Sequence, residues 1–181
     1  MQNGRRTKLR VIDCDCFVCG SEALSDFPRG GVRPLNLSAE RKYLSRAFRL
    51  SNNNITDLVG LQDTLERLLA HPSRLGWLDL SFNKLTRIDS VLCELQELRV
   101  LYLHGNCICS LSEVDKLGTL QHLHTITLHG NAIETDFHYR NHVVSTLPQL
   151  KTMDFSAVTR AERNLADVWC RCSTRAKKKE S

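Results

Sequence analysis

Three cysteines near the amino terminus form the densest group of metal-binding side chains in the sequence. Cys14, Cys16 and Cys19 have the spacing Cys-x-Cys-x-x-Cys. A structural zinc ion takes four ligands, commonly from two Cys-x-x-Cys pairs, and no second pair of this kind follows. Cys170 and Cys172 could complete a site only if the two ends of the chain meet. The sequence therefore favours a thiol-bearing arm, and no cofactor is predicted.

Two histidines and an aspartate form the other group that could do chemistry. His104 and His129 occupy equivalent places in two similar segments, and Asp154 follows in a third. A metal ion would need further ligands in a fixed geometry, so a pH-sensitive pair facing a partner is the favoured interpretation. The chain lacks a phosphate-binding Gly-rich loop, a Gly-x-Ser-x-Gly elbow and a His-Glu-x-x-His motif. We therefore expect no catalysis and no small-molecule substrate.

A repeated spacing of leucines determines where these residues lie. Segments that begin at Leu75, Leu98 and Leu123 fit the pattern Leu-x-x-Leu-x-Leu-x-x-Asn-x-Leu, with aliphatic replacements, and partial copies precede and follow them. The period-2 alternation inside each copy is typical of a short strand. The asparagine side chain can pair backbone groups where the chain leaves that strand. This predicts a ladder of Asn53, Asn83, Asn106 and Asn131.

The repeats predict an α/β solenoid, a right-handed array of about five rungs with a parallel concave sheet and convex helices. The longer return between the first two copies contains a helical pattern that His71-Pro72 ends. We expect a flexible, cysteine-containing arm over 1–29, an amino-terminal cap over 30–44 that includes Val32, Leu35, Leu37 and Leu44, repeats over 45–134, a carboxyl-terminal cap over 135–169 and a basic tail over 170–181.

Strand residues that point away from the core should line the concave face, where a partner would bind. Aromatic side chains on such a face are typical binding anchors, and this favours Trp77 and Tyr102. For Phe82, partner contact and a bare surface position are equally favoured. The predicted concave-face residues are Arg49, Trp77, Asp79, Phe82, Tyr102, His104, Thr127, His129 and Asp154.

These motifs resemble the SDS22-like leucine-rich-repeat family, which includes a phosphatase regulatory subunit and an axonemal dynein light chain. The resemblance extends from about residue 30 to residue 169 and does not include residues 1–29. It implies a carboxyl-terminal cap and a cytoplasmic protein without catalysis, linked in several organisms to ciliated cells. The residues that match the cap are Tyr139, Arg140, Leu147, Pro148, Leu150, Asp154, Glu162 and Arg163.

Charge is distributed unevenly along the chain, whose net charge is +5. Residues 1–50 carry ten basic and five acidic side chains, residues 51–170 ten and fourteen, and residues 171–181 five and one. Nucleic-acid binding needs basic side chains on the folded face, so the acidic body argues against nucleic acid as a partner. A solvated tail or contact of Lys177–Lys179 with an acidic partner are the two interpretations of the basic end.

No apolar run approaches the roughly 20 residues of a membrane span, and no signal-peptide pattern follows the basic start. We therefore expect a cytoplasmic protein with reduced thiols. The favoured function is a non-catalytic scaffold or adaptor that binds a protein on its concave face, in a ciliary, axonemal or other cytoskeletal assembly. A regulatory subunit of a phosphatase is the alternative, and a component of an RNA-containing complex is less favoured.

Overall fold

The computed structural model describes residues 17–19 and 36–177, with side chains for residues 36–172. Its strands form one sheet in chain order, in which β2 to β6 are parallel and β1 and β7 pair antiparallel at the two edges. The predicted solenoid with a parallel sheet is confirmed. The strands are β1 Phe17–Cys19, β2 Ala47–Arg49, β3 Trp77–Asp79, β4 Val100–Tyr102, β5 Thr125–Thr127, β6 Thr152–Met153 and β7 Ser156–Ala157.

Equivalent residues of successive repeats lie side by side in the sheet. Leu78 pairs in register with Phe48 and with Leu101, and Ile126 pairs with Met153. These inward side chains are fully buried. Together with the leucines of the return segments they form one continuous core that also includes Ala166 near the carboxyl terminus.

The return segments on the convex side are mostly 3₁₀ helices. The longer return contains helix α1, Leu61–Leu68, which ends before Pro72 as predicted. A 3₁₀ helix rises about 2.0 Å per residue against 1.5 Å for an α-helix, so it spans the convex side with fewer residues in the shorter repeats. The 3₁₀ segments are Pro72–Arg74, Ser90–Glu94, Leu111–Thr119 and Ala132–Thr135.

The asparagines join neighbouring rungs through their amide groups. Asn106 Nδ2 donates to the carbonyls of Leu103 in its own rung at 2.9 Å and Leu80 in the preceding rung at 3.0 Å. Its Oδ1 accepts from the backbone N–H of Leu85 at 3.0 Å. Asn53, in the first rung, is half-buried and donates to Leu50 and Ser51 of its own rung. Equivalent contacts to those of Asn106 are made by Asn83 and Asn131.

The amino-terminal edge of the sheet is covered by backbone pairing. Strand β1 lies within the arm that the sequence predicted to be flexible, and it pairs with β2. Tyr43 N–H donates to the carbonyl of Leu68, and Ala70 N–H donates to Tyr43. The side chains of Leu37 and Leu44 are half-exposed, and the predicted amino-terminal cap over 30–44 stays a prediction. Residues 30–35 of the predicted cap lie outside the described residues.

Two helices close the carboxyl-terminal end. They are α2, Tyr139–Thr146, and α3, Arg160–Lys177. Arg140 Nε donates to Glu162 Oε1 at 2.6 Å, and Arg163 donates to the carbonyls of Pro148 and Leu150. The cap residues Leu147 and Leu150 are fully buried.

Helix α3 begins with a reciprocal cap. Thr159 N–H donates to Glu162 Oε2 at 2.7 Å, and Glu162 N–H donates to Thr159 Oγ1 at 3.2 Å. This is the capping box expected of Thr-x-x-Glu, a signal that the sequence contains at 159–162. The helix continues to Lys177, so the predicted start of a tail at residue 170 is wrong. Arg, Ala and Lys favour helix, and neither Gly nor Pro interrupts the segment.

No described helix combines the length and the apolar character that a membrane crossing requires.

Candidate functional site

Four of the predicted concave-face residues are buried. Trp77 is only 3% exposed, and Asp79, Tyr102 and Thr127 are also buried. The prediction that these four side chains face a partner is therefore wrong. Side chains on a concave surface converge, and large rings there cover their neighbours.

The contacts around Trp77 give the physical reason for this burial. The guanidinium carbon of Arg49 lies 5.6 Å from the centre of the Trp77 ring, while Arg49 Nε lies 3.3 Å from Asp79 Oδ2. Tyr102 meets Trp77 edge-on, with ring centroids 5.5 Å apart. Arg49 itself stays partly exposed. Trp77 and Tyr102 thus act as packing residues on the floor of the concave face.

Two exposed phenylalanines and two half-buried histidines lie at the carboxyl ends of the strands, in a group that we call the aromatic rim: Phe82, His104, His129 and Phe155. The two imidazoles are stacked, with centroids 4.7 Å apart and planes 7° apart. Phe82 packs edge-on against His104 at 5.0 Å. Phe155 contacts His104 at 5.7 Å and His129 at 5.6 Å. Phe82 and Phe155 remain 54% and 49% exposed.

The backbone conformation turns the two phenylalanines outward. Phe82 has φ 53° and Phe155 has φ 61°, in the left-handed region that favours glycine. Gly105 and Gly130, which follow the two rim histidines, have φ 66° and 69°. A Cβ on Gly105 would lie 2.6 Å from Phe82 Cδ1, so the Phe82 ring rests directly on this glycine. Phe155 was not among the predicted site residues, because its repeat is degenerate and its turn is not apparent in the spacing.

Asp154 fixes the orientation of His129. Its Oδ1 accepts from the backbone N–H groups of Leu128 at 2.7 Å and His129 at 3.0 Å, and from His129 Nδ1 at 3.1 Å. Its Oδ2 accepts from the Tyr139 hydroxyl at 2.7 Å, and burial together with Asp154 raises the pKa of Tyr139. Asp154 was predicted to face a partner, but these four hydrogen bonds occupy its carboxylate, and it acts as a positioning residue.

The two rim histidines have different hydrogen-bonding states. Because a carboxylate only accepts, His129 donates through Nδ1 and its Nε2 is an acceptor when the ring is neutral. His104 Nδ1 lies 2.7 Å from Thr127 Oγ1. Burial and then His129 lower the pKa of His104, while Asp79 and Asp154 oppose the shift. The lowered pKa favours the neutral form of His104 at pH 7, so its imidazole adds uncharged aromatic surface to the rim.

The geometry of the described residues gives no support to a metal site at the histidines. No group of three or more His, Cys, Asp or Glu side chains suited to a metal ion occurs among the residues that the structure describes. Cys14 and Cys16 lie outside those residues, and Cys19 is placed only by its backbone in β1. The cysteine site therefore stays an untested alternative.

Comparison with known proteins agrees with this fold. The leucine-rich-repeat family model matches residues 36–180. Leucine-rich repeat-containing protein 51 of Bos taurus is 47% identical over 157 residues, which cover 87% of this chain and 82% of that protein. The probable U2 small nuclear ribonucleoprotein A' of Caenorhabditis elegans is 32% identical over 139 residues, 75% of this chain and 54% of that protein. The crystal structure of the Drosophila melanogaster SNF/U2A' complex contains a chain that is similar to this one, with a TM-score of 0.62 and 26% identity. The match covers 81% of this chain and 92% of the chain in that structure.

Fold, ladder and cap define a leucine-rich-repeat protein, and such proteins are in general non-catalytic interaction modules. The relatives named above define a narrower group within this class. The chain belongs to the leucine-rich-repeat family, in the group of leucine-rich repeat-containing protein 51. The resemblance to leucine-rich-repeat proteins stated from the sequence is thereby confirmed, and the SDS22-like subclass stays a prediction.

Proposed function

We propose that this chain is a non-catalytic adaptor that binds a partner protein on the concave side of its sheet, with the aromatic rim as the contact. The observation that carries the proposal is the pair of half-exposed phenylalanines, Phe82 and Phe155, on either side of the stacked histidines. Aromatic side chains supply large, rigid contact area, and a few of them commonly dominate the binding energy of an interface.

Backbone strain at the same two residues supports the proposal. A residue other than glycine in the left-handed region costs on the order of 1–2 kcal/mol, and such strain clusters at functional sites. Phe82 and Phe155 both have this strained conformation, and it turns their rings outward. The lowered pKa of His104 favours an uncharged aromatic ring between them at pH 7. The rim therefore fits an apolar ridge of a protein partner better than a charged ligand.

The cellular setting remains part of the proposal. We place the adaptor in the cytoplasm, within an axonemal or other cytoskeletal assembly, on the basis of the sequence resemblance alone. The phosphatase-subunit alternative also stays a prediction. A catalytic subunit recovered with the protein would support that alternative.

A second candidate is a protein subunit of a ribonucleoprotein complex. The likeness to the Caenorhabditis elegans U2 small nuclear ribonucleoprotein A' and to the Drosophila SNF/U2A' complex favours it. In this case the chain would contact a protein component and not the RNA. Residues 51–170 carry more acidic than basic side chains, whereas binding to RNA phosphates needs an excess of basic side chains. The aromatic rim would serve this candidate equally well.

The test compares two variants with the intact protein in affinity capture from ciliated-cell lysate. Phe82→Gly/Phe155→Gly removes both rim rings at positions where the backbone suits glycine. Phe137→Ala is the matched control, since Phe137 is 92% exposed and lies outside the rim. We expect the control to keep the captured protein and the rim variant to lose it. Retention by a folded rim variant would contradict the proposal, and ribonuclease treatment separates the two candidates.

A further inference from the structure

Helix α3 has two apolar sides, and only one of them packs on the protein. The packed side holds Ala166, which is fully buried, and Trp169, whose ring lies 5.2 Å from His138 and 5.9 Å from His142 of the α2 region. The ion pair of Glu162 with Arg140 fixes the start of the same side. These contacts orient α3 firmly and leave its other side turned to solvent.

The second apolar side, which we call the α3 stripe, consists of Ala161, Leu165, Val168 and Cys172. All four are exposed, and Leu165 and Val168 are 64% and 56% exposed. Their spacing of four, three and four residues is that of the a and d positions of a heptad. The twelve residues from Ala161 to Cys172 span about 16 Å of helix, enough for about three turns of a neighbouring helix to pack alongside.

The net charge of the segment that carries the stripe favours an acidic partner. Residues 160–181 carry seven Lys and Arg against three Asp and Glu. One of the acids, Glu162, is already paired with Arg140. A complementary helix would therefore be apolar opposite Leu165 and Val168 and acidic along its flanks.

We propose that the α3 stripe is a second docking surface, which binds an acidic amphipathic helix of a partner protein side by side with α3. In helix pairing of this kind the partner packs against apolar residues at i, i+3 and i+7, which here are Leu165, Val168 and Cys172. The surface is separate from the aromatic rim and does not depend on it. Four small apolar side chains bury too little for stable membrane insertion, and this argues against a lipid surface as the occupant.

The probe is a synthetic helical peptide of three heptads with Leu at a and d and Glu at e and g, labelled for fluorescence anisotropy. A second peptide with Lys in place of Glu tests the charge preference. We expect the acidic peptide to bind the intact protein, and the basic peptide to bind about tenfold more weakly or worse. Equal binding of the two peptides, or no binding of the acidic one, would overturn the proposal.

Two variants and a control complete the experiment. Leu165→Ser/Val168→Ser should weaken binding of the acidic peptide about tenfold or more, while Val59→Ser, a change at an apolar residue of similar exposure that precedes α1, should bind as the intact protein does. Because both stripe residues are exposed, the double variant should keep its melting temperature, and the single variant Leu165→Gln repeats the test with a smaller change. Unchanged binding by folded stripe variants would overturn the proposal. The proposal would also be overturned if the stripe residues were needed for binding to phosphatidylserine vesicles, or for self-association, while the acidic peptide did not bind.

Discussion

Phe82 occupies a backbone position that other rungs fill with residues suited to it. Asn52, Gly105 and Gly130 stand directly before their ladder asparagines, as Phe82 does, and all have positive φ. Glycine adopts this conformation freely and asparagine tolerates it, whereas a bulky side chain does not. A strained, exposed phenylalanine at such a position indicates a role in binding.

Replacing Phe82 should cost little stability. We expect Phe82→Gly to change the free energy of unfolding by less than about 1 kcal/mol, because relief of the left-handed strain offsets the lost contact with His104 and the greater freedom of glycine in the unfolded chain. Phe48→Ala, in the fully buried core, should cost about 3–5 kcal/mol. Urea unfolding measures both. A loss from Phe82→Gly as large as that from Phe48→Ala would show a structural role.

The lowered pKa of His104 predicts how stability responds to mild acid. The unfolded chain takes up a proton on this histidine near its ordinary value of 6.5, while the folded protein resists until a lower pH. Folding therefore loses stability as the pH falls below 6.5 towards the folded pKa. His104→Gln should remove this part of the pH dependence, measured by urea unfolding between pH 7.5 and 5. An unchanged slope in the variant would contradict the assignment.

At the scale of structural elements, the asparagine ladder couples the rungs. We expect Asn106→Ala to destabilise the protein by about 2–3 kcal/mol, because it leaves the buried N–H of Leu85 unpaired and removes one of the two asparagine donors from each of the Leu80 and Leu103 carbonyls. Asn53→Ala should cost less than about 1.5 kcal/mol, since Asn53 is half-buried and donates only within its rung. Chemical denaturation of both variants provides the measurement. Equal losses would mean that the ladder does not couple the rungs.

The cap of α3 should lose its contribution in strong acid. The hydrogen bond from Arg140 and those from Thr159 lower the pKa of Glu162 to about 2, from its ordinary 4.5. The stabilisation is fully present above pH 4.5 and is lost as the pH falls towards 2. Glu162→Gln should lower the melting temperature at pH 7, and the gap to the intact protein should close towards pH 2. Thermal melts followed by circular dichroism test this, and a gap independent of pH would contradict it.

The sequence could predict those features that depend on spacing. The strands, their parallel order and the ladder follow from leucines and asparagines that recur at fixed offsets. Burial on the concave side could not be predicted, because period 2 places Trp77 opposite the core but does not show that Arg49 and Tyr102 cover it. Phe155 lies in a turn of the degenerate last copy, where no repeated residue marks the conformation.

At the scale of the whole molecule, one continuous core links the first rung to the carboxyl-terminal helix. Buried residues from Phe48 to Ala166 belong to the same cluster, so the described body from residue 47 to residue 166 should unfold as a unit. The aromatic rim and the α3 stripe lie on different elements of this rigid body. Such a molecule can hold two partner segments in fixed relation, which is the property that an adaptor requires.

Hydroxyl-radical footprinting of the protein, alone and with the most abundant protein that it captures from ciliated-cell lysate, tests the central claim most directly. The method measures the solvent exposure of individual aromatic side chains. We predict that the partner protects Phe82 and Phe155 and leaves Phe137, which is exposed elsewhere, as reactive as before. Full reactivity of both rim phenylalanines in the saturated complex would contradict the claim that the aromatic rim binds the partner.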